Sequence, residues 1–351
     1  MLCGICGADM KAIRFHEHGA ASVLKLEDAP DPKPGYGEVL VDIKAAGVNH
    51  LDIWVRTGMP GVDIPLPHIP GSDACGLVAA CGEGVTHLKT GDRVLLAPGM
   101  SFEQDAQVLS GWDSLSSGYH LLGLQVNGTY AEAIVVPENR AIKVSETYSY
   151  EEWASTPLVF LTAWHMLHTH VNLDCRDTVL IHAAGSGIGQ AAIQIAKLKG
   201  AAVITTVGNE DKVKRAKDLG ADHVINYQKS NFSDEVLRIT NKKGVDVIFE
   251  HIGPDIWDQN FKCLAKGGRM VTCGATSGPK VQIDLRVLFM RQLTIKGSYM
   301  GSHGELLEVI NMLESKKLKP VVSDVFDLKD AAKAHQTMES RNIFGKLVLR
   351  V

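Results

Sequence analysis

From Thr178 onward the chain alternates between two hydrophobic patterns. Runs rich in β-branched apolar residues, Thr178–Ile181, Ala202–Val207, Val245–Glu250 and Arg269–Cys273, read as buried strands. Between them apolar residues return at helical spacing, as at Ile188, Ala191, Ile195 and Leu198. The same reading predicts helices over Asp211–Leu219, Ser233–Thr240 (capped by Ser233) and Ile256–Leu264, and short strands over His223–Tyr227 and Leu293–Tyr299. Strands alternating with helices predict an α/β doubly wound parallel sheet covered on both faces, with ligands at the carboxyl ends of its strands. Residues 10–150 have another rhythm: short runs such as GEVLVDIKAAGVN and GTYAEAIVVP, punctuated by Gly, Pro and Asp, predict a barrel-like β domain. The tail adds helices over Leu306–Ser315 and Asp330–Met338 and a last strand, KLVLRV.

The strand Thr178–Ile181 runs into a glycine-rich turn with Gly185, Gly187 and Gly189, and a helix follows. Such a turn lets backbone approach a pyrophosphate seated on the helix N-terminus. The match to G-x-G-x-x-G is loose, because Ala184 holds its first position and Ser186 its third. The context of strand, turn, helix and strand supports a dinucleotide site at Gly185, Ser186, Gly187 and Ile188, against a βαβ unit that binds none. The later turns carry Ile252, Gly253, Gly274, Ala275 and Ser298, mostly small residues that leave room for a cofactor.

A length of 351 residues fits two domains with a core each. No apolar run reaches the about 18 residues of a membrane span, and no secretory signal opens the chain. With a net charge of −4 and no basic stripe, nucleic acid is not an expected partner. Seven cysteines, an odd number in a long chain, point to a reducing cytoplasm rather than a disulfide framework. Cys263 and Cys273 sit in apolar runs and read as small core residues.

GEVLVDIKAAGVNHLD (37–52), GSDACG (71–76), GDRV (91–94), GTYAE (128–132), PLVFLTAW (157–164), AAGSGIGQAAIQIAK (183–197) and GKLVL (345–349) together resemble the medium-chain dehydrogenase/reductase superfamily of zinc alcohol dehydrogenases and quinone oxidoreductases. The resemblance implies a GroES-like catalytic domain over 1–159 with a lobe at 98–130, a Rossmann domain over 160–297, and a return to the first domain over 298–351. It adds Thr162 and Lys346, in PLVFLTAW and GKLVL, to the residues expected at the cofactor.

Zinc separates the branches. The family's catalytic ligand positions are held here by Asn49, Ser72 and Leu158, which do not make a zinc site, and Asp73 alone holds no metal. The four ligand positions of the family's structural zinc read Phe102, Asp105, Val108 and Ser116. No zinc is therefore expected, and the lobe is expected to be held by Phe102, Val108, Leu109, Trp112 and Leu115 or else to be mobile. Cys3-Gly-Ile-Cys6 looks like a ligand motif but precedes the first strand, so a metal or redox role is not expected of it. His68 reads as a turn residue between prolines. His50 neighbours the former ligand position and either faces the substrate or supports those that do.

An NAD enzyme usually has an acid at the end of the second strand; here Gly208 stands there, leaving room for a 2′-phosphate. By resemblance Lys212 and Tyr227 hold that phosphate, with Asn209 adding a hydrogen bond, so NADP(H) is the expected cofactor. Without a Lewis acid, the expected substrates are small electrophiles whose conjugation spreads negative charge, namely quinones and α,β-unsaturated carbonyls. Asn49 is the expected donor to the acceptor oxygen or to the nicotinamide ribose. Asp52 is expected to orient backbone or Arg56, and Trp54 to line the substrate site. An alcohol or aldehyde dehydrogenase and a non-catalytic, crystallin-like nucleotide binder are the alternatives. The apolar stretch Val287–Tyr299 reads as an exposed sheet edge that a homodimer would cover.

Overall fold

The computed structural model describes residues 9–351, so the Cys3/Cys6 motif lies outside the described residues. The described residues divide into two units, 9–158 with 319–351, and 159–318. The return to the first unit thus begins at Lys319 rather than at residue 298. The helix His303–Glu314 stays with the second unit because Leu306, Val309, Ile310 and Leu313 bury its apolar face there.

The second unit carries a six-stranded parallel sheet. In spatial order its strands are His223–Asn226, Ala202–Val207, Thr178–Ile181, Val245–Glu250, Leu264–Thr272 and Thr294–Gly297. Numbered along the chain this is the order 3-2-1-4-5-6, which reverses between the first and fourth strands and places a ligand crevice at their carboxyl ends. Leu180, Ile204, Ile225, Ile248 and Met270 pack with Phe232, Val236 and Trp257 into its core. Two local expectations are corrected. The helix Phe232–Ile239 is capped by Asn231, whose side chain accepts from the N–H groups of Ser233 and Asp234 at 2.9 and 3.3 Å. Of the stretch Val287–Tyr299 only Thr294–Gly297 is strand. Its first residues belong to the short helix Leu285–Met290, capped by Asp284.

The first unit carries a seven-stranded sheet built on the long strand Glu38–Val48, in which Val39, Val41 and Ile43 alternate into the core. Val322–Asp327, absent from the sequence reading, is its outer strand beside Lys346–Arg350. Antiparallel register sets Leu347 opposite Val48 and Asp73 opposite Gly47. That register gathers Lys346, Asn49 and Asp73 at one end of the sheet. Gly47 leaves room beside Asp73, since a Cβ there would stand 3.0 Å from Asp73 Cβ and 2.3 Å from the Ala154 carbonyl oxygen.

The lobe is not held as expected, for Phe102, Leu109 and Leu115 are 60%, 76% and 63% exposed. It is tied instead by pairing of Gly99–Ser101 with Tyr119–Leu121, by Asp105 capping Ala106–Leu109, and by a 3.0 Å hydrogen bond between the hydroxyls of Ser101 and Ser116. His68 is a buried residue whose backbone pairs with Phe15, more than a turn residue. Cys263 is fully buried and Cys273 partly so, and burial pushes both thiols up to about 12.

Candidate active site

In the first unit, the strand Glu38–Val48 ends at Asn49, which opens the helix His50–Thr57. Asn49 is 3% exposed and its carboxamide is engaged at both ends. Its Nδ2 donates to Asp73 Oδ2 at 2.9 Å, and its Oδ1 accepts from Lys346 Nζ. Lys346 also pairs with Asp73 Oδ2 at 3.3 Å, and the Leu158 N–H donates to Asp73 Oδ1 at 2.9 Å. Burial pulls the Lys346 ammonium below the usual lysine range, against the attraction of Asp73 and Asp52. Asn49, expected as a donor to the acceptor oxygen or the nicotinamide ribose, and Lys346, expected at the cofactor, are both buried in one network with Asp73.

Asp52 sits in the first turn of the same helix and is fully buried. Its Oδ2 accepts from the Asn49 N–H at 2.7 Å and from the Tyr130 hydroxyl at 2.9 Å. Asp52 therefore orients backbone as expected. Arg56 it does not hold: that guanidinium, 1% exposed, reaches Gly19 O at 3.1 Å, His335 Nδ1 at 3.3 Å and Glu339 at 2.5 Å. His335 Nε2 in turn meets the Tyr130 hydroxyl at 3.3 Å. Burial pushes Asp52 up to about 7, opposed by its two hydrogen bonds and by Lys346. Burial and the nearby Arg56 push His335 down to about 3. His50 is exposed, with its ring edge-on to half-buried Trp54 at 5.2 Å. Tyr130 and His335 escaped the sequence reading. GTYAE contains the tyrosine, but nothing local marks its hydroxyl as aimed at Asp52.

In the second unit, Ser186 caps the helix Gly187–Leu198 by accepting from the Gly189 N–H at 2.9 Å. Gly187 and Ile188 follow as its first two residues, whose N–H groups have no carbonyl one turn back. Gly189 must be glycine, as a Cβ would lie 2.3 Å from Ala183 O. At the end of the second strand, a Cβ on Gly208 would meet the Tyr227 hydroxyl at 2.5 Å, so Tyr227 occupies the place of an acidic side chain. Asn209 Oδ1 accepts from the Lys212 N–H at 3.1 Å and so orders the turn. Burial, then Arg215, holds Lys212 below the usual lysine range. The neighbouring acid Glu210 is tied to Lys229 at 2.5 Å.

The turn after the fourth strand depends on Glu250, a fully buried acid missed in the sequence. It accepts from the N–H groups of Ile252 and Gly253 at 2.6 Å each and from Thr272 Oγ1 at 2.7 Å. Its sequence signal is an acid ending an apolar strand. Gly274 packs its Cα side on the His251 carbonyl, leaving no room for a Cβ beside Ala275. Thr162 is buried with its hydroxyl 3.8 Å from Met300 Sδ, and the buried Ser298 Oγ has no partner among the described residues.

A nicotinamide dinucleotide fits these residues: a helix N-terminus for the pyrophosphate, a second-strand end without an acid, and an orphaned hydroxyl at Ser298. Zinc does not fit. Asn49, Ser72 and Leu158 offer no ligand set, Ser72 Oγ donates to Leu122 O at 2.7 Å, and among the described residues no three His, Cys, Asp or Glu side chains gather as one.

Fold and site together define a two-domain, nicotinamide-dependent oxidoreductase. Residues 35–146 match the alcohol dehydrogenase GroES-like domain, and residues 187–315 the zinc-binding dehydrogenase family. A quinone oxidoreductase of Salmonella typhimurium is 32% identical over 96% of this chain and 98% of its own. An NAD-dependent alcohol dehydrogenase of Sulfolobus acidocaldarius is 33% identical over 97% of this chain and 100% of its own. A crystal structure of an NAD-dependent alcohol dehydrogenase is 44% identical, covers 97% of this chain and 100% of its own, and superposes with a TM-score of 0.94. The chain belongs to the medium-chain dehydrogenase/reductase superfamily. Among the described residues no helix is long and apolar enough to cross a membrane.

Proposed function

We propose that the chain is an NADPH-dependent reductase of quinones or α,β-unsaturated carbonyls that works without zinc. One observation carries this reading: of the residues at the family's ligand positions, Asn49 and the Leu158 N–H are spent on Asp73, which pairs with Lys346, and Ser72 is spent on Leu122 O. A bound NADPH supplies the hydride. This chain's residues bind and orient it and accommodate charge on the acceptor. Conjugated acceptors need the least such help, because they spread the charge themselves. The deciding experiment compares a benzoquinone and an enone with a primary alcohol, on chelator-treated protein at fixed NADP(H). Quinone or enone reduction is expected to dominate. Efficient alcohol oxidation with negligible reduction would favour the alternative, an alcohol dehydrogenase, which the 44% identity to such an enzyme keeps open.

The cofactor preference rests on Gly208, Tyr227 and Lys212. Lys212→Ala is expected to weaken NADPH binding about tenfold or more, the scale of a lost charged hydrogen bond, and to leave NADH nearly unchanged. Equal losses for both cofactors would make Lys212 structural.

We also propose a homodimer formed at the edge strand Thr294–Gly297, which among the described residues pairs on one side only and lies near exposed Leu285, Phe289 and Met290 in sequence. Light scattering at micromolar concentration is expected to give twice the chain mass. A monomer would refute the pairing. The chemistry of such an enzyme calls for no nucleic acid or membrane partner, and it suits the cytoplasm, where NADPH is kept reduced.

A further inference from the structure

Ala183 enters the glycine turn with φ of 52°, a left-handed conformation that a residue with a Cβ keeps only under constraint. Its carbonyl oxygen accepts from the Ser186 N–H at 2.8 Å, and Gly189 lies against the same oxygen. The backbone angles of Ala183 therefore set where Ser186, Gly187 and Ile188 stand. A glycine would adopt this conformation freely, whereas an alanine has to be held in it.

A buried series of side chains holds it. On the neighbouring strand, Thr206 Oγ1 accepts from the Ala183 N–H at 3.1 Å and Thr206 O from the Ala184 N–H at 3.0 Å. Behind Thr206 is His182, 1% exposed. Its Nδ1 lies 3.3 Å from Thr206 Oγ1, and its Nε2 lies 2.8 Å from Oδ1 of Asn260, on the helix Pro254–Cys263. A carboxamide oxygen only accepts, so Nε2 carries the hydrogen and Nδ1 takes the Thr206 hydroxyl proton. The lone pairs of Oγ1 are left for the Ala183 N–H. Burial brings His182 down to about 4, against its bond to Asn260, so the ring keeps this neutral form near neutral pH. Asn260 is itself fully buried, and its Nδ2 has no partner among the described residues, so the set of its carboxamide serves His182. His251 Nε2 donates to the His182 carbonyl at 3.2 Å and ties the turn after the fourth strand to the same point. The first and fourth strands are the pair at which the strand order reverses, so this junction lies at the ligand crevice.

We propose that His182 is a positioning residue for the dinucleotide. Through Thr206 it keeps Ala183 left-handed, and so sets the N–H groups at the start of the helix Gly187–Leu198 for a pyrophosphate before one arrives. It acts through Ala183 and not by contact with the cofactor. Every residue in the series belongs to the second unit. The inference rests on the dinucleotide reading of the glycine turn, and not on the choice between NADPH and NADH or on the substrate.

His182→Phe keeps a ring and removes both nitrogens. Fluorescence titrations are expected to show the dissociation constants of NADPH and NADH rising together by about tenfold, the scale of one lost hydrogen bond. The two rise together because they share the pyrophosphate, unlike the expected effect of Lys212→Ala. Adding Ala183→Gly is expected to restore most of the affinity, since glycine takes up the turn unaided, while Ala183→Gly alone leaves both constants nearly unchanged. Thr206→Val keeps the side-chain volume and removes the hydroxyl. It is expected to repeat the loss and the rescue, and it carries the test if His182→Phe folds poorly. The two substitutions together are expected to cost little more than either, because each breaks the same series. Unchanged affinity in both single variants overturns the proposal. So does a loss that Ala183→Gly fails to rescue, which would make the series a general support of the fold. Wild-type protein that binds neither nucleotide overturns the dinucleotide reading itself, and this inference with it.

Discussion

Lys346→Met is expected to destabilise the first unit by about 3–5 kcal/mol, the cost of leaving a buried charge without its partner. Methionine fills nearly the same volume but abandons Asp73, which is fully buried, and frees the Asn49 carbonyl oxygen from its donor. Adding Asp73→Asn to Lys346→Met should recover most of the loss, because a neutral amide can still meet Asn49 and the Leu158 N–H. Denaturant titrations of the single and double variants measure this. A loss below about 1 kcal/mol would place the pair among exposed ion pairs, contrary to its burial.

The second large effect is a pH dependence of stability that belongs to Asp52. Its carboxyl is raised to about 7 in the folded chain, mainly by burial; unfolded, it titrates near about 3.9. Between these values the folded state holds a proton that the unfolded state has lost. The stabilising contribution is therefore complete below about pH 4 and disappears as pH rises through about 7, a total of about 4 kcal/mol. From about pH 5.5 to about pH 8 the change is about 2 kcal/mol. Asp52→Asn removes this component while other titrations continue, so the difference in stability between wild type and variant should shift by that amount in the variant's favour at high pH. A difference independent of pH would mean that Asp52 is ionised across the range.

Much of the nucleotide unit was legible along the chain. Val245–Glu250, Thr178–Ile181 and Ala202–Val207 form strands where β-branched runs predict them. The glycine turn and the missing acid at Gly208 were readable too, since both depend on local backbone space. The errors fall where local signals compete. Asn231 and Ser233 are both good caps, and the asparagine prevails because its oxygen reaches two N–H groups. Val287–Met290 is apolar enough for a strand, but Asp284 caps a short helix there. Val322–Asp327 alternates between polar and apolar residues too weakly to stand out, and it becomes a strand through its pairing with Lys346–Arg350.

What the sequence determined by itself was therefore the two-unit plan, the nucleotide fingerprint and the loss of metal-ligand chemistry at Asn49, Ser72 and Leu158. Periodicity, glycine geometry and residue chemistry act within a few residues of chain. Tertiary structure alone decided what took the place of those ligands. Lys346 and Asn49 are 297 positions apart, and Tyr130 stands 78 from Asp52. They meet because antiparallel register closes one end of the sheet on them. Burial, which no local pattern measures, then turns an ordinary lysine into a counter-ion and an ordinary aspartate into an acid that keeps its proton near neutrality.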